Sequence, residues 1–398
     1  MKVLLITQHF DIVGGSDVMV HQTKRLLQQA GHEVEIFAAR GPDQPDDGIY
    51  PGADHFYRPS PTTIGRFLYS GQARKRLDAL LDRFPADVAH LHIHYGTLTS
   101  SILAPLRRRN IRIVQHLHEY RSFCSVYTAQ RGGETCLDCR VGSYFPGLKH
   151  RCNQGSLLRS LISTSEMYVA DRLGAKSAPD QFLAVSHFQR QMIVDQGLPA
   201  DRIATLYNPV DNMFFPDQIP DMADRHGVLF VGRIEAYKGV FDLLDVAQTL
   251  PDTRFTFVGD GSARGDLEQR AQGLANVHIL GKLDRADVIP HLLGHRMMVV
   301  PSRWHETFGL TAVEAMATGC VPIVTRMGGL PEVVQDQTAG FVVEMGDKTQ
   351  MRTRISELHS DDGLATDMSA QAHLRARDTF SEDQYLGALL GWYRETAQ

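Results

Sequence analysis

The sequence predicts an α/β protein built from two doubly wound parallel sheets, and three observations lead to this prediction. The chain has 398 residues, which at roughly 100–200 residues per domain favours two domains. Short apolar segments alternate with helical segments along most of the chain, as in parallel sheets covered by helices. A polar, proline-containing stretch after residues 208–211 interrupts the alternation, which begins again at Val228. We therefore predict one domain at 1–210 and a second at 211–380.

The apolar runs define six strands in each half. Those of the first half are at 3–6, 34–37, 87–92, 112–118, 181–185 and 202–207, and those of the second half are at 228–231, 255–258, 277–280, 297–300, 321–324 and 341–343. Ser16 is the predicted N-cap of the first helix, and Lys238 is predicted to open a helix that runs to residue 250. Ser381 opens the last helix, with Gln384 as its capping-box partner.

Composition excludes several classes of protein. The chain is 43% hydrophobic and 22% charged, which is ordinary for a globular protein and excludes general disorder. The formal net charge of -5 argues against nucleic acid as the main partner. No apolar run approaches the roughly 18 residues of a membrane span. The N-terminus has strand character and no small-residue cleavage site, so we expect a cytoplasmic protein with reduced cysteines.

Two glutamates follow the predicted strand at 297–300. Glu306 lies in the loop, and Glu314 lies in the helix that comes after Gly309 and Leu310. The start of a helix offers free amide groups and the positive end of a dipole, so a phosphate can bind there. Glu314 could then accept hydrogen bonds from a ribose diol, and Glu306 from a sugar beyond the phosphates. Without further context, a capping acid at Glu306 and a solvated helix acid at Glu314 would be the favoured explanation.

The sequence around the glutamates resembles the signature of family 4 glycosyltransferases, which are retaining enzymes of the GT-B fold. The matching positions are Pro301-Ser302, Glu306, Phe308-Gly309-Leu310, Glu314-Ala315-Met316-Ala317, Gly319, Pro322, Gly328-Gly329 and Pro331-Glu332. The resemblance implies that Glu306 contacts the donor sugar and that Glu314 binds the ribose. It also implies that the backbone of residues 308–310 cradles the sugar and phosphate.

Three further segments resemble sequences of the same family. Arg233 and Lys238 match residues that grip the diphosphate, where cations would stabilise the negative charge of the leaving group. Gly14-Gly15 matches a loop that faces the donor phosphates; a tight turn without ligand contact is the alternative. The resemblance also implies that residues 381–398 cross back onto the first domain.

Histidines cluster near the ends of two predicted strands. His90, His92 and His94 alternate on one face of the first of these strands. His118 ends the next strand, and its surroundings resemble the family stretch whose histidine reaches the donor sugar. The alternative is a hydrogen-bonded histidine at a strand end. A metal site at the alternating histidines is conceivable, but side chains that line the cleft are the favoured interpretation.

The resemblance implies a retaining hexosyltransferase that uses a nucleotide-diphosphate sugar and a saccharide or lipid-linked acceptor, as in polysaccharide or glycoconjugate biosynthesis. Glu306, His118, Arg233 and Lys238 would be the catalytic residues, without a catalytic metal. Two alternatives are left open. One is another GT-B enzyme, such as a nucleotide-sugar epimerase or a phosphorylase. The other is a non-catalytic module that binds nucleotide sugars.

Four of the five cysteines lie close together in sequence. They are Cys124, Cys136, Cys139 and Cys152, and Gly132, Gly133 and Gly142 interrupt the segment. This pattern predicts an irregular insertion, not a helix. A C-x-x-C pair with two flanking cysteines predicts a structural zinc site. An iron–sulfur cluster, free thiols and disulfides are the alternatives.

Basic residues form two patches, one at 64–76 and one at Arg107-Arg108-Arg109. A solvated helix face explains them most simply. A further hypothesis is peripheral contact with an anionic membrane at the inner membrane face, where lipid-linked acceptors are found.

Overall fold

The computed structural model describes residues 1–12, 14–39 and 64–394, with only the backbone of Ile64. Two compact units make up the chain. The first contains Met1–Arg131, Cys136–Leu206 and Leu386–Gln398, and the second contains Gly132–Thr135 and Tyr207–Tyr385. The polypeptide therefore passes from one unit to the other at residue 207 and returns within its last helix.

The first unit contains a six-stranded sheet in which every neighbouring pair is parallel, in the order β2-β1-β3-β4-β7-β8. The strands up to residue 205 are β1 (Lys2–His9), β2 (Glu33–Ala39), β3 (Val88–Leu91), β4 (Arg112–Leu117), β5 (Gln130–Arg131), β6 (Glu134–Thr135), β7 (Gln181–Ala184) and β8 (Ile203–Thr205). The short strands β5 and β6 form a separate two-stranded ribbon.

The second unit repeats this architecture with a parallel sheet in the order β11-β10-β9-β12-β13-β14. Its strands are β9 (Val228–Val231), β10 (Phe255–Val258), β11 (Val277–Gly281), β12 (Met297–Val300), β13 (Val321–Thr325) and β14 (Phe341–Val343). All four residues of β12 are buried, as expected for a strand covered by helices on both faces.

Fifteen helices lie in the described part of the chain. They are α1 (Gly15–Gln29), α2 (Ile64–Leu68), α3 (Gly71–Arg83), α4 (Leu103–Arg108), α5 (Phe145–Lys149), α6 (Leu157–Arg172), α7 (His187–Asp195), α8 (Val240–Gln248), α9 (Arg264–Arg270), α10 (Arg285–Gly294), α11 (Leu310–Ala317), α12 (Leu330–Val334), α13 (Lys348–Ser360), α14 (Asp362–Phe380) and α15 (Glu382–Arg394). None of them is long and apolar enough to cross a membrane.

All twelve strands predicted from the apolar runs are present, and the start of α15 is also confirmed, since the Ser381 hydroxyl accepts a hydrogen bond from the Gln384 amide at 3.4 Å. Two predicted helix starts are wrong. Gly14, not Ser16, caps α1, because the Asp17 carboxylate accepts a hydrogen bond from the Gly14 amide at 3.0 Å. Lys238 ends a short 3-10 turn, and α8 begins only after Gly239, whose positive φ of 73° breaks the helix.

The segment between β4 and α6 also departs from the prediction. An irregular insertion is predicted there, yet the segment contains the β5–β6 ribbon and the short helix α5. The prediction missed them because each is only a few residues long, which is too short for a hydrophobic period to be visible.

Candidate active site

The loop after β12 places Glu306 in a buried ion pair. The Glu306 side chain is 11% exposed, and its Oε1 atom lies 2.6 Å from Nζ of Lys238. The Ser302 hydroxyl donates to the same carboxylate oxygen. Burial opposes ionisation of Glu306, but Lys238 and Ser302 outweigh it and hold the pKa of the carboxyl below its usual value. Glu306 is therefore an ionised carboxylate with a cation beside it.

Two glycines allow this close approach. A side chain at Gly239 would place its Cβ 1.8 Å from the carbonyl oxygen of Pro301, at the end of β12. A side chain at Gly328 would place its Cβ 2.0 Å from the carbonyl oxygen of Glu306. Both glycines have positive φ angles, so they are needed for their conformation as well as for their size. The backbone is thus packed around the Lys238–Glu306 pair from both sides.

Glu314 forms a second ion pair, further along α11. Its Oε1 atom accepts a hydrogen bond from the Arg285 guanidinium at 2.6 Å, and that guanidinium also lies 5.0 Å from the ring centre of Phe214. Burial raises the pKa of Glu314 above its usual value, and Arg285 only partly opposes the shift. Arg285 was not predicted as a partner of Glu314, because no pattern at the start of α10 points to a residue 29 positions later.

The first turn of α11 lies between the two carboxylates. Gly309 caps the helix with φ 107°, and Leu310 is its first residue. Phe308 is 2% exposed, with its ring centre 5.9 Å from that of Tyr207 and 5.6 Å from that of Phe380. These contacts fix the loop that leads into the helix. The amide groups of the first turn have no carbonyl partners within the helix, so they can bind an anion.

Aromatic rings flank both predicted phosphate-binding cations. Lys238 Nζ lies 5.1 Å from the ring centre of Trp304, and the Arg233 guanidinium lies 5.6 Å from that of Tyr237. Arg233 is exposed and forms no ion pair with the described residues. The structure thus brings Lys238, Glu306 and the start of α11 into one region of the second unit, with Arg233 beside Tyr237. Two contacts of this site were not predicted from the sequence, although both residues lie within the stretch that contains the motif. They are the contacts of Ser302 with Glu306 and of Trp304 with Lys238.

Gly14 and Gly15 lie at the start of α1, just after β1. Apart from their chain neighbours and the backbone of α1 itself, no described residue has an atom within 4 Å of the position that a Cβ would take at either glycine. Gly14 is extended, with φ -155°, so its conformation does not require glycine. The backbone here is open to approach, which fits a ligand-binding loop, and no ligand contact is shown.

His118 follows β4 and contacts a histidine of the neighbouring strand end. Its Nε2 atom lies 2.8 Å from Nδ1 of His92, and the two rings stack with centres 5.1 Å apart. Burial lowers the pKa of His118 to about 4. The imidazole is therefore neutral near pH 7, and one of its two nitrogen atoms can donate a hydrogen bond while the other accepts one.

The alternating histidines are buried. His90, His92 and His94 are at most 1% exposed, and the Nδ1 atom of His90 lies 2.7 Å from the hydroxyl oxygen of Tyr393 on α15. Among the described residues, His90, His92 and His116 form the one group of three metal-ligating side chains whose atoms all lie within 4.8 Å of one another. This group contains no carboxylate, and burial keeps the pKa values of its three imidazoles well below the usual value.

The four clustered cysteines all lie in the first unit and are free thiols. Burial, reinforced by the other three thiols, raises the pKa of Cys139 to about 12, and burial also raises the pKa of Cys124 and Cys152. No three of their sulfur atoms lie within 4.8 Å of one another. Cys320 is fully buried in the second unit, apart from this cluster.

Comparison with known proteins identifies the family. The family model for "Glycosyltransferase Family 4" matches residues 13–213, which is half of the chain, and that for "Glycosyl transferases group 1" matches residues 214–375. The chain belongs to glycosyltransferase family 4. As a member of this family, it is a glycosyltransferase of the GT-B type that acts on nucleotide-sugar donors.

One relative and two solved structures extend this finding. The N-acetyl-alpha-D-glucosaminyl L-malate synthase of Bacillus anthracis is 25% identical, over 96% of this chain and 94% of the relative. Sucrose-phosphate synthase from Thermosynechococcus elongatus has 17% identity and a TM-score of 0.72, covering 99% of this chain and 98% of that one. Anabaena HepE, solved in complex with UDP and glucose, has 19% identity and a TM-score of 0.66, covering 99% and 100%. The two structures confirm the GT-B fold of this glycosyltransferase.

Proposed function

We propose that this glycosyltransferase transfers a hexosyl group from a nucleotide-diphosphate sugar to a saccharide or lipid-linked acceptor, with retention of the anomeric configuration, in the synthesis of a polysaccharide or glycoconjugate. The observation that carries the proposal is the buried group formed by Lys238, Glu306 and Ser302 next to the start of α11. A cation, a carboxylate and free helix amides are what a diphosphate joined to a sugar requires.

Lys238 can donate hydrogen bonds to Glu306 and to a phosphate at the same time. An ammonium group has three N–H donors, so Lys238 can keep its hydrogen bond to Glu306 and donate to a phosphate oxygen. Arg233 forms no ion pair with the described residues, so its guanidinium is available for bidentate binding of the same diphosphate. Two cations would stabilise the charge that builds up on the leaving group as the glycosidic bond breaks.

Glu306 suits recognition of sugar hydroxyls better than attack on the sugar. Its Oε1 atom is already held by Lys238 and Ser302, which lowers both its mobility and its basicity. An ionised carboxylate accepts strong hydrogen bonds from hydroxyl groups. We place Glu314 at the ribose, where its ion pair with Arg285 would fix the carboxylate before the nucleotide binds.

The reaction that we propose is a front-face transfer. The bond between the anomeric carbon and the β-phosphate oxygen breaks, and the acceptor oxygen forms its new bond on the same face. The departing phosphate oxygen takes the proton of the acceptor hydroxyl, so no side chain has to act as a covalent nucleophile. Neutral His118 would orient a sugar hydroxyl, and His92 would hold the His118 ring in place.

Peripheral membrane contact is the last part of the proposal. The basic patch at residues 107–109 is less suited to bind a membrane, because Arg108 and Arg109 already form ion pairs with Asp78. A different surface lies at the start of α6, where Leu157 and Leu158 are 55% and 62% exposed. Residues 139–165 contain no acidic side chain but include four Lys or Arg residues, which are Arg140, Lys149, Arg151 and Arg159. This apolar and basic surface suits an anionic lipid headgroup layer.

The test of the proposed function uses the full chain and a panel of UDP-, GDP- and ADP-sugars. We expect one donor to be hydrolysed slowly without acceptor and faster with a suitable one, and NMR of the product to show the anomeric configuration of the donor. Inversion of that configuration, or turnover of the sugar without release of the nucleoside diphosphate, would contradict the proposal.

Membrane contact is tested by sedimentation of the protein with phosphatidylglycerol vesicles. We expect Leu158→Ser to weaken the sedimentation and the control Leu374→Ser, at an exposed leucine of the second unit, to leave it unchanged.

A further inference from the structure

The segment between Ala129 and α6 has almost no core of its own. Residues 130–156 are all described, and only Tyr144 and Gly147 among them are buried. Leu137 and Phe145, which could have formed a core, are 44% and 60% exposed. Segments that bury so little apolar surface are generally held by a disulfide, a metal ion or a partner. This one nevertheless adopts defined turns, a ribbon and a short helix.

The backbone of this segment brings the four cysteines together. The Cys136 amide donates to the carbonyl of Ala129 at 2.8 Å, and Ala129 belongs to the same core cluster as Cys124. On the other side, the Cys152 amide donates to the carbonyl of Gly147 at 3.0 Å. Gly147 packs so closely on Ser125 that a Cβ there would lie 2.4 Å from the serine hydroxyl.

The remaining cysteine lies between these two sides. Cys139 Sγ is 4.0 Å from the carbonyl oxygen of Tyr144, one residue before α5 begins. The Gly147 amide donates to the same carbonyl oxygen at 3.0 Å, which links Cys139 to the turn that holds Cys152. Cysteines that are separated by up to 28 positions in sequence therefore lie in one region of the fold, although no three of their sulfur atoms lie within 4.8 Å of one another.

We infer that Cys124, Cys136, Cys139 and Cys152 bind one Zn²⁺ ion, which stabilises the segment between β4 and α6. Zn²⁺ prefers four thiolate ligands in a tetrahedron at about 2.3 Å, and a C-x-x-C pair with two further cysteines supplies that set. Binding draws the four sulfurs inward by side-chain rotation around the ion. The site is structural, because four protein ligands leave no open position for a substrate.

The binding step involves no oxidation. Four S–H bonds break, four Zn–S bonds form and four protons pass to solvent, so the product carries a net charge of −2. One carboxylate lies within the ligand set, since Asp138 stands between Cys136 and Cys139, and the Arg131 guanidinium pairs with it at 2.7 Å. Residues 131–152 carry four cationic side chains, Arg131, Arg140, Lys149 and Arg151, and two acidic ones, Glu134 and Asp138. This excess of positive charge offsets part of the charge of the metal site.

The experiment measures zinc and iron by elemental analysis in full-length protein purified without a metal-affinity resin. We expect about one zinc ion per chain. Cys139→Ser should lose the metal, while Cys320→Ala, a matched change at the cysteine outside the cluster, should retain it. If Cys139→Ser does not fold, a mercurial reagent titrated into the wild type should release the zinc stoichiometrically as its thiols react.

Four results would overturn the inference. They are wild-type protein without zinc and with reactive thiols, two disulfides found by mass spectrometry under non-reducing conditions, iron in place of zinc, and zinc that remains in folded Cys139→Ser. The last of these would point to the buried histidines. Nucleotide binding to wild type is expected to survive removal of the metal by a chelator, so this inference and the proposed function can fail separately.

Discussion

The two units use opposite means to bury polar groups at the carboxyl ends of their sheets. In the second unit, Lys238 and Glu306 are both charged and lie 2.6 Å apart. In the first unit, the histidines after β3 and β4 stack on one another as neutral rings, and burial holds the pKa of His118 at about 4. A buried charge requires a partner, whereas an imidazole can lose its proton instead. The charged site is therefore the one suited to a diphosphate.

The largest expected effect separates Lys238 from an ordinary surface lysine. Lys238→Ala removes a cation at the leaving group and leaves Glu306 buried without its partner, so turnover should fall by roughly 10²–10³-fold. Lys348→Ala is the matched control, because Lys348 forms an exposed ion pair with Asp245 in the same unit. Steady-state transfer rates of the two variants test the comparison, and equal rates would remove Lys238 from the mechanism.

The next prediction separates the two carboxylates of the second unit. Glu306→Gln should mainly reduce turnover, since the sugar that we propose it contacts gains positive charge in the transition state. Glu314→Gln should mainly weaken binding of the bare nucleoside diphosphate, because the ribose does not change during the reaction. Calorimetric titration combined with rate measurements separates these effects. A larger loss of nucleotide affinity in Glu306→Gln than in Glu314→Gln would reverse the assignment.

The neutral histidines make the stability of the first unit dependent on pH. Burial lowers the pKa of fully buried His94 to about 4, whereas the unfolded residue titrates near 6.5. Between these values the unfolded chain binds more protons, so the free energy of unfolding falls as the pH falls from 6.5 towards 4. For His94 alone the loss could reach about 3 kcal/mol.

Urea unfolding at pH 7.5 and pH 5 measures this loss. The wild type should unfold at a lower urea concentration at pH 5. His94→Asn, which cannot titrate in this range, should show a smaller difference between the two pH values. A pH difference of the same size in wild type and variant would show that His94 does not carry the effect.

The smallest expected effect concerns α15. Tyr393→Phe removes the buried hydrogen bond between the tyrosine hydroxyl and Nδ1 of His90. The free energy of unfolding should fall by about 1 kcal/mol, the usual contribution of such a bond. Affinity for the nucleoside diphosphate should not change, and calorimetry together with thermal unfolding checks both quantities. A loss of nucleotide affinity without a loss of stability would show that the histidines of the first unit are not separate from nucleotide binding by the second unit.

The strands were predictable from the sequence because each is a short apolar run in a sheet buried on both faces. The positions of Glu306 in the loop and of Glu314 in α11 were predictable for a different reason, since both lie within one motif. Ser302 lies in that motif too, but its hydrogen bond to Glu306 depends on the path of the loop. Arg285 could not be found, because its pairing with Glu314 exists only once the fold brings the first residue of α10 to α11. The N-cap of α1 was misplaced because serine was favoured over a glycine whose amide is bound by Asp17.

We propose that the charged groups of the second unit hold the nucleotide. Hydrogen–deuterium exchange of the full chain, with and without the nucleoside diphosphate that most raises its melting temperature, measures whether they do. We predict that the ligand slows exchange at residues 231–240 and 301–314, and that it does so less in Lys238→Ala. Slower exchange elsewhere with no change in these two segments would contradict the claim.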